Sequence, residues 1–408
     1  MKRPAHVLSV VGHLGYGGDE NRLLSILQSV DQSRFRFTVL VMPTGAGLDA
    51  TCGSLESEIE ATGVRVHHLD ATSAPGWLPR PVQAAIRMIR RIGAVVRLIR
   101  KWDVDLVDAR LDAGTHGVVA SAISRIPAVS THYHAKPPKL FPFWWLLRTT
   151  SLNLADAVVT DSRMRRDELG RMIWNRSTTS HCIPNGIPAP VPRRPVSEVR
   201  AALGVPDDPD IRIIAQISRL VPFKGHAVLL DAARLVIDAD PRAFFLFVGY
   251  GRGGNEYEQQ LHEKAVGLGI ADRVRIAGYP GAIGDVWQLV DIHVHASLFD
   301  SLPNAILEGM SLAKPAVVTD VGGVTEAVEN EKTGLVVPPN DPAALARGLL
   351  RLLGDPALAA AFGRAARARY ETTYQPAVMT RAIEACFESV LRGSPARGRK
   401  IASKAVAT

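Results

Sequence analysis

Two carboxylates, Asp300 and Glu308, lie eight residues apart on either side of the triplet Pro303, Asn304 and Ala305. The apolar pattern after Pro303 predicts a helix that begins near Asn304 and places Glu308 about one turn inside it. The first N–H groups of a helix have no intrahelical partner and attract anions. The pattern therefore suits a bound diphosphate with a carboxylate on each side for sugar hydroxyls. An ordinary loop–helix junction capped by Asn304 would look the same.

Two cations follow a strand predicted at 211–217. Arg219 and Lys224 lie on the loop between this strand and the next predicted helix. A guanidinium binds phosphate through paired N–H groups and an ammonium binds it as a point charge, so both suit a diphosphate. Both cations also stabilise the negative charge that develops on a departing diphosphate. A role in surface solubility is the alternative for any such pair.

Glycines follow two further predicted strands. Gly249 comes after the strand at 244–248, where it allows the backbone to approach a ligand or makes a tight turn. Gly278 and Tyr279 come after the strand at 274–277 and would place backbone groups against a nucleobase. An ordinary β–α turn explains the second pair equally well.

The first half of the chain offers a glycine loop and a histidine pair. Gly17 and Gly18 follow the first predicted strand and open a helix, but the loop is not a G-x-G-x-x-G sequence. A dinucleotide site is therefore poorly supported. His132 and His134 follow the strand at 128–131, where an imidazole can bind a hydroxyl or stabilise charge. Either histidine is a candidate, and a structural hydrogen-bonding role is the alternative.

Two pairs of residues have a spacing that metals use, but we predict no metal site. Asp103 and Asp105 form a D-x-D sequence just before a buried strand, where solvated acids are common. His293 and His295 share one face of a predicted strand, and no third zinc ligand is evident.

The composition is that of an ordinary globular protein. The 408 residues are 47% hydrophobic and 22% charged, and their number favours two domains. Three scattered cysteines indicate a reducing compartment, and no apolar run of about 18 residues is present to cross a bilayer. The N-terminal segment is interpreted as a first strand and not as a signal peptide. A cytoplasmic location is expected.

Short apolar runs alternate with helical patterns along the whole chain, which predicts parallel sheets covered on both faces. Five prolines between Pro184 and Pro195 form a stiff connector that separates two halves. We therefore predict an α/β fold with two doubly wound, Rossmann-like domains facing across a cleft. The domains are 1–188 and 189–375, a final helix at 376–392 packs back on the first domain, and 393–408 is a basic disordered tail.

Positive charge is concentrated in the first half of the chain. No acidic residue occurs from Ala71 to Trp102, whereas Arg87, Arg90 and Arg97 are among several cations there. A basic amphipathic helix of this kind suits peripheral contact with an anionic membrane, at its inner face for a cytoplasmic protein. A helix packed on the sheet with its basic face in water is the alternative. No nucleic-acid partner is predicted.

Taken in order, these motifs resemble the GT4-type family of retaining glycosyltransferases with the GT-B fold. The sequence from Asp300 to Glu308 is similar to the E-x7-E element of that family, and Gly249 lies in a similar V-G-x-G turn. The stretch 313–326 matches the G-K-P-V-V-x-T-x-x-G-G-x-x-E pattern of the family, and Asn185 lies in an N-G-V-D-like segment. The resemblance covers about residues 5–391.

The resemblance implies roles for individual residues. Arg219 and Lys224 would hold the diphosphate, Glu308 the donor ribose, and Asp300 the hydroxyls of the donor sugar. Gly17 and Gly18 correspond to the N-terminal glycine loop of the family, and His132 to its histidine at a strand end. The family needs no metal or other cofactor. Asp300 departs from the usual Glu, which marks it as the residue to test for sugar choice.

The resemblance also implies an activity. The expected reaction moves a sugar from a nucleoside diphosphate, with UDP as the expected nucleotide, to a hydroxyl acceptor, and retains the anomeric configuration. The acceptor class is a polysaccharide, a lipid-linked or a natural-product intermediate. A nucleotide-sugar epimerase on the same scaffold and a non-catalytic nucleotide-sugar-binding protein are the alternatives.

Overall fold

The computed structural model describes residues 3–15, 17–43, 54–70, 73–111, 113–132, 149–249, 256–278 and 281–393. The chain divides into two compact units. One unit runs from the N terminus to Gly186 and also includes the C-terminal segment that begins at Pro376. The other is Ile187–Gln375. Each unit is an α/β domain built on its own parallel sheet, which confirms the predicted fold class.

The first unit contains a seven-stranded parallel sheet with the order β3-β2-β1-β4-β5-β6-β7. Its strands are Ala5–Val11 (β1), Phe35–Val41 (β2), Arg65–His68 (β3), Leu106–Arg110 (β4), Ala128–His132 (β5), Ala157–Thr160 (β6) and Thr179–Cys182 (β7). The strands β1, β4 and β5 are buried at every position except Ala5, as expected for a parallel sheet with helices on both faces.

Six helices of the first unit are labelled here: Gly18–Ser29 (α1), Glu56–Glu60 (α2), Arg80–Lys101 (α3), Gly114–Ser124 (α4), Arg163–Gly170 (α5) and, after the second unit, Pro376–Gly393 (α14). Residues 149–154 are also helical. Helix α14 completes a core with α1 and β2, where the Phe387 ring lies 5.9 Å from that of Phe35 and 6.3 Å from that of Phe37.

The second unit contains a six-stranded parallel sheet with the order β10-β9-β8-β11-β12-β13. Its strands are Arg212–Ile217 (β8), Ala243–Val248 (β9), Val274–Ala277 (β10), Ile292–His295 (β11), Ala316–Thr319 (β12) and Leu335–Val337 (β13). Strand β9, with the sequence AFFLFV, is buried at every position and packs against cores on both faces of the sheet.

The helices of the second unit begin at clear sequence signals. Asp341 and Asp355 accept hydrogen bonds of 2.9 Å from backbone N–H groups of α12 and α13, and each helix has proline at its first position. The helices are Val196–Leu203 (α6), His226–Ala239 (α7), Glu256–Gly267 (α8), Ile283–Trp287 (α9), Asn304–Ser311 (α10), Val324–Ala327 (α11), Pro342–Gly354 (α12) and Pro356–Thr373 (α13). A 3-10 turn covers Pro222–Lys224.

Helix α3 differs in one respect from its sequence pattern. Ile89, Val96 and Ile99 recur at helical spacing in the sequence, but Ile89 is 66% exposed whereas Val96 and Ile99 are buried. Only the C-terminal part of α3 is buried, through Val95, Val96 and Ile99. Burial therefore changes along the helix although the apolar spacing does not.

In the part of the chain that the structure describes, no helix combines the length and the apolar character needed to span a bilayer. The residues beyond 393, which were predicted to form a disordered tail, lie outside the described residues. The same holds for Tyr279 and His134.

Candidate functional site

The strand order of the second unit reverses between β8 and β11, which are adjacent in its sheet. Ligands of open α/β sheets bind outside the carboxyl ends of the strands at such a switch point. The loop after β8 carries Arg219 and Lys224, and the loop after β11 carries Asp300. The fold therefore brings together three of the residues singled out in the sequence.

Gln216, near the end of β8, ties the two loops together. Its amide nitrogen donates to the carbonyl of Lys224 at 2.7 Å, and its amide oxygen accepts from the N–H of Ala296 at 3.0 Å. Gln216 is fully buried. Because one side chain satisfies backbone groups on both loops, it fixes the position of Lys224 relative to the end of β11.

Asp300 is the centre of a polar cluster. Its Oδ2 atom contacts the ammonium of Lys224, lies 2.9 Å from Nε2 of His295 and accepts from the Ser297 hydroxyl at 3.1 Å. His295 and Ser297 are completely buried, and the side chains of Lys224 and Asp300 are only 10% and 14% exposed. Sequence reasoning selected Lys224 and Asp300 but not their contact with each other, and it treated His295 only as a rejected metal ligand.

The cluster holds Asp300 as a carboxylate. Burial raises the pKa of Asp300, but the hydrogen bond from His295 and the charge of Lys224 outweigh it and hold that pKa well below its usual range. Burial also lowers the pKa of His295, and this outweighs the bond to Asp300 that raises it. At neutral pH Asp300 is thus a carboxylate beside a neutral His295 imidazole.

Arg219 lies at the exposed end of this group. It is solvent-accessible, and its guanidinium carbon lies 6.0 Å from the centroid of the Phe223 ring. The Lys224 ammonium lies 5.8 Å from the same centroid. Phe223, which is 40% exposed, therefore lies between two cations, and an anion at this edge would meet both.

Two glycines allow the loops to approach each other. A Cβ atom on Gly249 would lie 1.8 Å from the carbonyl oxygen of Ser218 on the neighbouring strand end. Gly225 adopts a φ of +74°, and a Cβ there would lie 1.9 Å from the carbonyl oxygen of Ala296. No side chain fits at either position. Gly278 follows β10 directly and is exposed.

The predicted helix start is present, and its cap differs from the expectation. Helix α10 begins at Asn304, but the capping position is Pro303, whose side chain cannot accept a hydrogen bond from the first N–H groups. Ala305 lies in the first turn. The start of α10 therefore keeps the anion-attracting character predicted from the sequence.

Glu308 points toward a residue that sequence reasoning missed. Its Oε2 atom accepts a hydrogen bond of 2.8 Å from the indole N–H of Trp287, which is fully buried on α9. Burial raises the pKa of Glu308, and the indole bond acts in the opposite direction. The other carboxylate oxygen remains able to accept hydrogen bonds. Trp287 precedes Glu308 by 21 residues, so local spacing gave no signal for this pair.

In the first unit, His132 ends β5 and is buried. Its Nε2 atom lies 2.9 Å from the hydroxyl of Ser130, two residues earlier on the same strand face. Gly17 is the residue before α1, and Gly18 is its first residue. These three candidates lie at carboxyl ends of strands of the first unit, where the strand order reverses between β1 and β4.

A buried ionic network at the same edge was not predicted. The guanidinium of Arg110, 2% exposed, bonds Asp108 at 2.9 Å and Asp19 at 2.8 Å. Glu20 lies beside it, 3.1 Å from Nδ1 of His13, and burial together with the charge of Asp19 raises the pKa of Glu20 to about 7. Perturbed acids of this kind often occur at functional sites.

The residues with metal-like spacing have other partners. Asp103 and Asp105 form ion pairs of 2.7 and 3.0 Å with Arg3, at the amino end of β4 and away from the strand ends described above. His293 is buried with its ring 5.1 Å from that of Trp287. Within the described ranges, no group of three or more His, Cys, Asp or Glu side chains is placed to hold a metal ion.

Two protein-family models match the chain. The model described as "Glycosyl transferases group 1" matches residues 198–369, and "Glycosyltransferase Family 4" matches residues 16–189. Together they account for most of both units.

Individual relatives match part of their own length. D-inositol 3-phosphate glycosyltransferase of Streptomyces avermitilis is 34% identical over 174 residues, which are 41% of this chain and 37% of that protein. The lipopolysaccharide core biosynthesis mannosyltransferase LpsB of Rhizobium meliloti is 28% identical over 48% of this chain and 56% of its own length. The chain thus spans about half or less of the curated relatives it matches.

A solved structure shares the fold over nearly the whole chain. Anabaena Alr3699/HepE, crystallised in complex with UDP, superposes with a TM-score of 0.77 at 22% identity, covering 95% of this chain and all of the other. The family models and this GT-B architecture agree with the motifs at the strand ends. The chain therefore belongs to the group 1, family 4 glycosyltransferases.

Proposed function

We propose that this protein transfers a sugar from a nucleoside diphosphate to a hydroxyl acceptor with retention of anomeric configuration. The observation that carries the proposal is the cluster at the β8–β11 switch point, where Arg219, Lys224 and the start of α10 surround one strand edge beside Asp300. Cations and helix N–H groups suit the diphosphate, and carboxylates suit sugar hydroxyls.

In this mechanism the chain binds the leaving group and does not attack the sugar. Arg219, Lys224 and the start of α10 stabilise the charge that develops on the departing diphosphate.

Glu308, held by Trp287, accepts hydrogen bonds from the ribose, and Asp300 accepts one from the donor sugar. We also propose a catalytic role for His132 of the first unit, as the family resemblance implies. Glycine lets a backbone approach a ligand closely, and on this ground we propose donor-binding roles for Gly249 and Gly278 in the second unit and for Gly17 and Gly18 in the first. Tyr279, which follows Gly278 in the sequence, is proposed with them.

The same cations make a metal unnecessary for charge balance, and we propose metal-independent transfer without any further cofactor. UDP is the nucleotide we expect. HepE binds UDP, and a second HepE structure is described with UDP and glucose. These complexes support a uridine donor here through the shared fold.

The test begins with donor binding. In a thermal-shift panel of UDP-, GDP-, ADP- and TDP-glucose, a donor at about 100 times its Kd is expected to raise Tm by about 5 °C. Slow hydrolysis of the bound donor should then release the α-sugar first, as followed by proton NMR, at the same rate with EDTA. Binding of no donor, or first release of the β-sugar, would contradict the proposal.

The same experiment separates the alternatives. A nucleotide-sugar epimerase would convert the donor to an epimeric nucleotide sugar without any acceptor. A non-catalytic binding protein would show the thermal shift without hydrolysis or transfer to any acceptor, and replacement of Asp300 by Glu would be needed to restore turnover.

We further propose that α3 makes peripheral contact with an anionic membrane, at the inner face for a cytoplasmic protein. Val82 and Ile89, 43% and 66% exposed, lie seven residues apart, which is nearly two helical turns, so they share one stripe. Trp77, just before the helix, is 83% exposed. Arg97 and Arg100 are exposed on the same helix. Apolar and cationic side chains on one face suit a bilayer surface.

Liposome flotation tests this contact. The double change Arg97→Glu and Arg100→Glu is expected to weaken binding to vesicles of phosphatidylglycerol and phosphatidylcholine by at least about tenfold, since each surface cation is worth about 1 kcal/mol. The matched control Arg273→Glu with Lys332→Glu reverses two cations of the second unit and should bind like the unchanged protein. Equal binding by both double variants would contradict the proposal.

A further inference from the structure

The structure points to an unassigned positioning residue, His295, and this inference rests on the proposed function. We propose that His295, with Ser297, tethers Oδ2 of Asp300 so that this carboxylate presents only its Oδ1 atom to the donor sugar. Asp300 would then accept from a single sugar hydroxyl and not from a vicinal pair.

The contacts of the two ring nitrogens determine the tautomer of His295. Nε2 lies 2.9 Å from Oδ2 of Asp300 and also 2.9 Å from the hydroxyl oxygen of Ser297, so a lone pair on Nε2 would face the lone pairs of Asp300. The single hydroxyl proton of Ser297 goes to Oδ2, so the Ser297 oxygen also accepts from Nε2. Nε2 must therefore carry the proton and donate it. Nδ1 is buried and has no hydrogen-bond partner among the described residues. A protonated Nδ1 would be an unsatisfied buried donor, so the imidazole is neutral with its proton on Nε2.

The two carboxylate oxygens of Asp300 differ in how many hydrogen bonds they accept. Oδ2 receives three donors, from Lys224, His295 and Ser297. Oδ1 receives a single one, the backbone N–H of Ser301 at 3.1 Å, within the described part of the chain. A carboxylate oxygen has two lone pairs. Oδ2 is therefore fully used, and Oδ1 keeps one acceptor position.

A bound anion changes the contacts of Lys224 but not those of His295 and Ser297. A diphosphate competes with Asp300 for the Lys224 ammonium, which is the strongest of the three donors to Oδ2. His295 and Ser297 are neutral and completely buried, so they are not drawn toward the anion. They keep the carboxylate in place when Lys224 turns to the donor. The short side chain of Asp300 is suited to this tether because it ends near the strand that carries His295.

The experiment compares His295→Gln, whose amide can donate near the position of Nε2, with His295→Leu, which cannot donate. Donor hydrolysis is measured with the nucleotide-glucose that binds in the thermal-shift panel. We expect His295→Leu to lower kcat about 10- to 100-fold with the donor KM within about threefold, because small misplacements cost such factors. His295→Gln should keep at least about one third of kcat.

The control is His6→Leu in the first unit. His6 is also a buried histidine, with its ring bonded to Thr38 at 2.9 Å and to the carbonyl of Trp102. It should lose stability with little change in kcat. If His295→Leu keeps its kcat, or if His295→Gln is as impaired as His295→Leu, the tether is contradicted.

A second measurement does not depend on activity. In 15N NMR of histidine-labelled protein, His295 should show the neutral Nε2–H tautomer from pH 6 to pH 8, and Asp300→Asn should perturb it. A proton on Nδ1 would overturn the tether even if the enzyme is active. If no donor binds, the proposed function fails, and the tautomer still decides whether His295 holds Asp300.

Discussion

Replacement of Lys224 by Ala is expected to lower donor hydrolysis or transfer by about 10²- to 10³-fold, the range seen when one donor to a developing oxyanion is removed. Two effects add here. The diphosphate loses a nearby cation, and Asp300, whose side chain is only 14% exposed, loses the ammonium that balances its charge. A buried carboxylate without its partner then repels the incoming anion.

The control is Lys264→Ala. Lys264 forms an ion pair of 2.7 Å with Asp231 in the same unit, but both side chains are about one third exposed. An exposed pair contributes little, so this variant should keep its rate within about twofold. The double variant Lys224→Ala with Asp300→Asn should bind the donor more tightly than Lys224→Ala alone, because it removes the unbalanced charge. A Lys224→Ala enzyme within threefold of the unchanged rate would contradict the assignment.

Replacement of Gly225 by Ala is expected to destabilise the second unit by roughly 3 kcal/mol or more. A left-handed φ costs a non-glycine residue about 1–2 kcal/mol, and here the added Cβ also lies 1.9 Å from the Ala296 carbonyl oxygen. Backbone cannot rotate away as a side chain can, so the loop that carries Lys224 must move away from β11. Tm should fall by about 10 °C, and the donor-induced thermal shift should disappear.

Gly269→Ala separates the strain from the clash. Gly269 has a φ of +69°, and the nearest atom to an added Cβ is the end of the Arg234 side chain at 3.6 Å. It should cost only the strain, about 1 kcal/mol, and leave donor binding unchanged. Equal losses of Tm in the two variants would show that the contact with Ala296 is not needed.

Much of the fold follows from local sequence. Runs such as 244–248 and 274–277 are short, apolar and β-rich, and they become β9 and β10 with nearly the predicted bounds. Pro303 places the start of α10 correctly because proline suits the entry to a helix but not its interior. Signals of this kind lie within a few residues of one another.

The contacts at the site could not be predicted in the same way. The bond from Trp287 to Glu308 depends on how α9 and α10 pack, and the network of Arg110 depends on β1 and β4 being neighbours although β2 and β3 intervene in sequence. Helix α3 gives a second example. Ile89, Val96 and Ile99 share a helical spacing, yet Ile89 is 66% exposed and the other two are buried, so spacing alone does not separate core from surface positions.

The placement of helix α14 has a consequence for biosynthesis. Residues 187–375 form one unit and are contiguous, whereas the first unit is interrupted by them and is completed only by the segment that begins at Pro376. Phe35 and Phe37 are made early in translation, but Phe387, which packs on both, leaves the ribosome after the whole second unit. The first unit is thus the first to be synthesised and the last to complete its fold. The apolar surface around Phe35 and Phe37, which Phe387 covers in the folded protein, stays uncovered while the second unit folds.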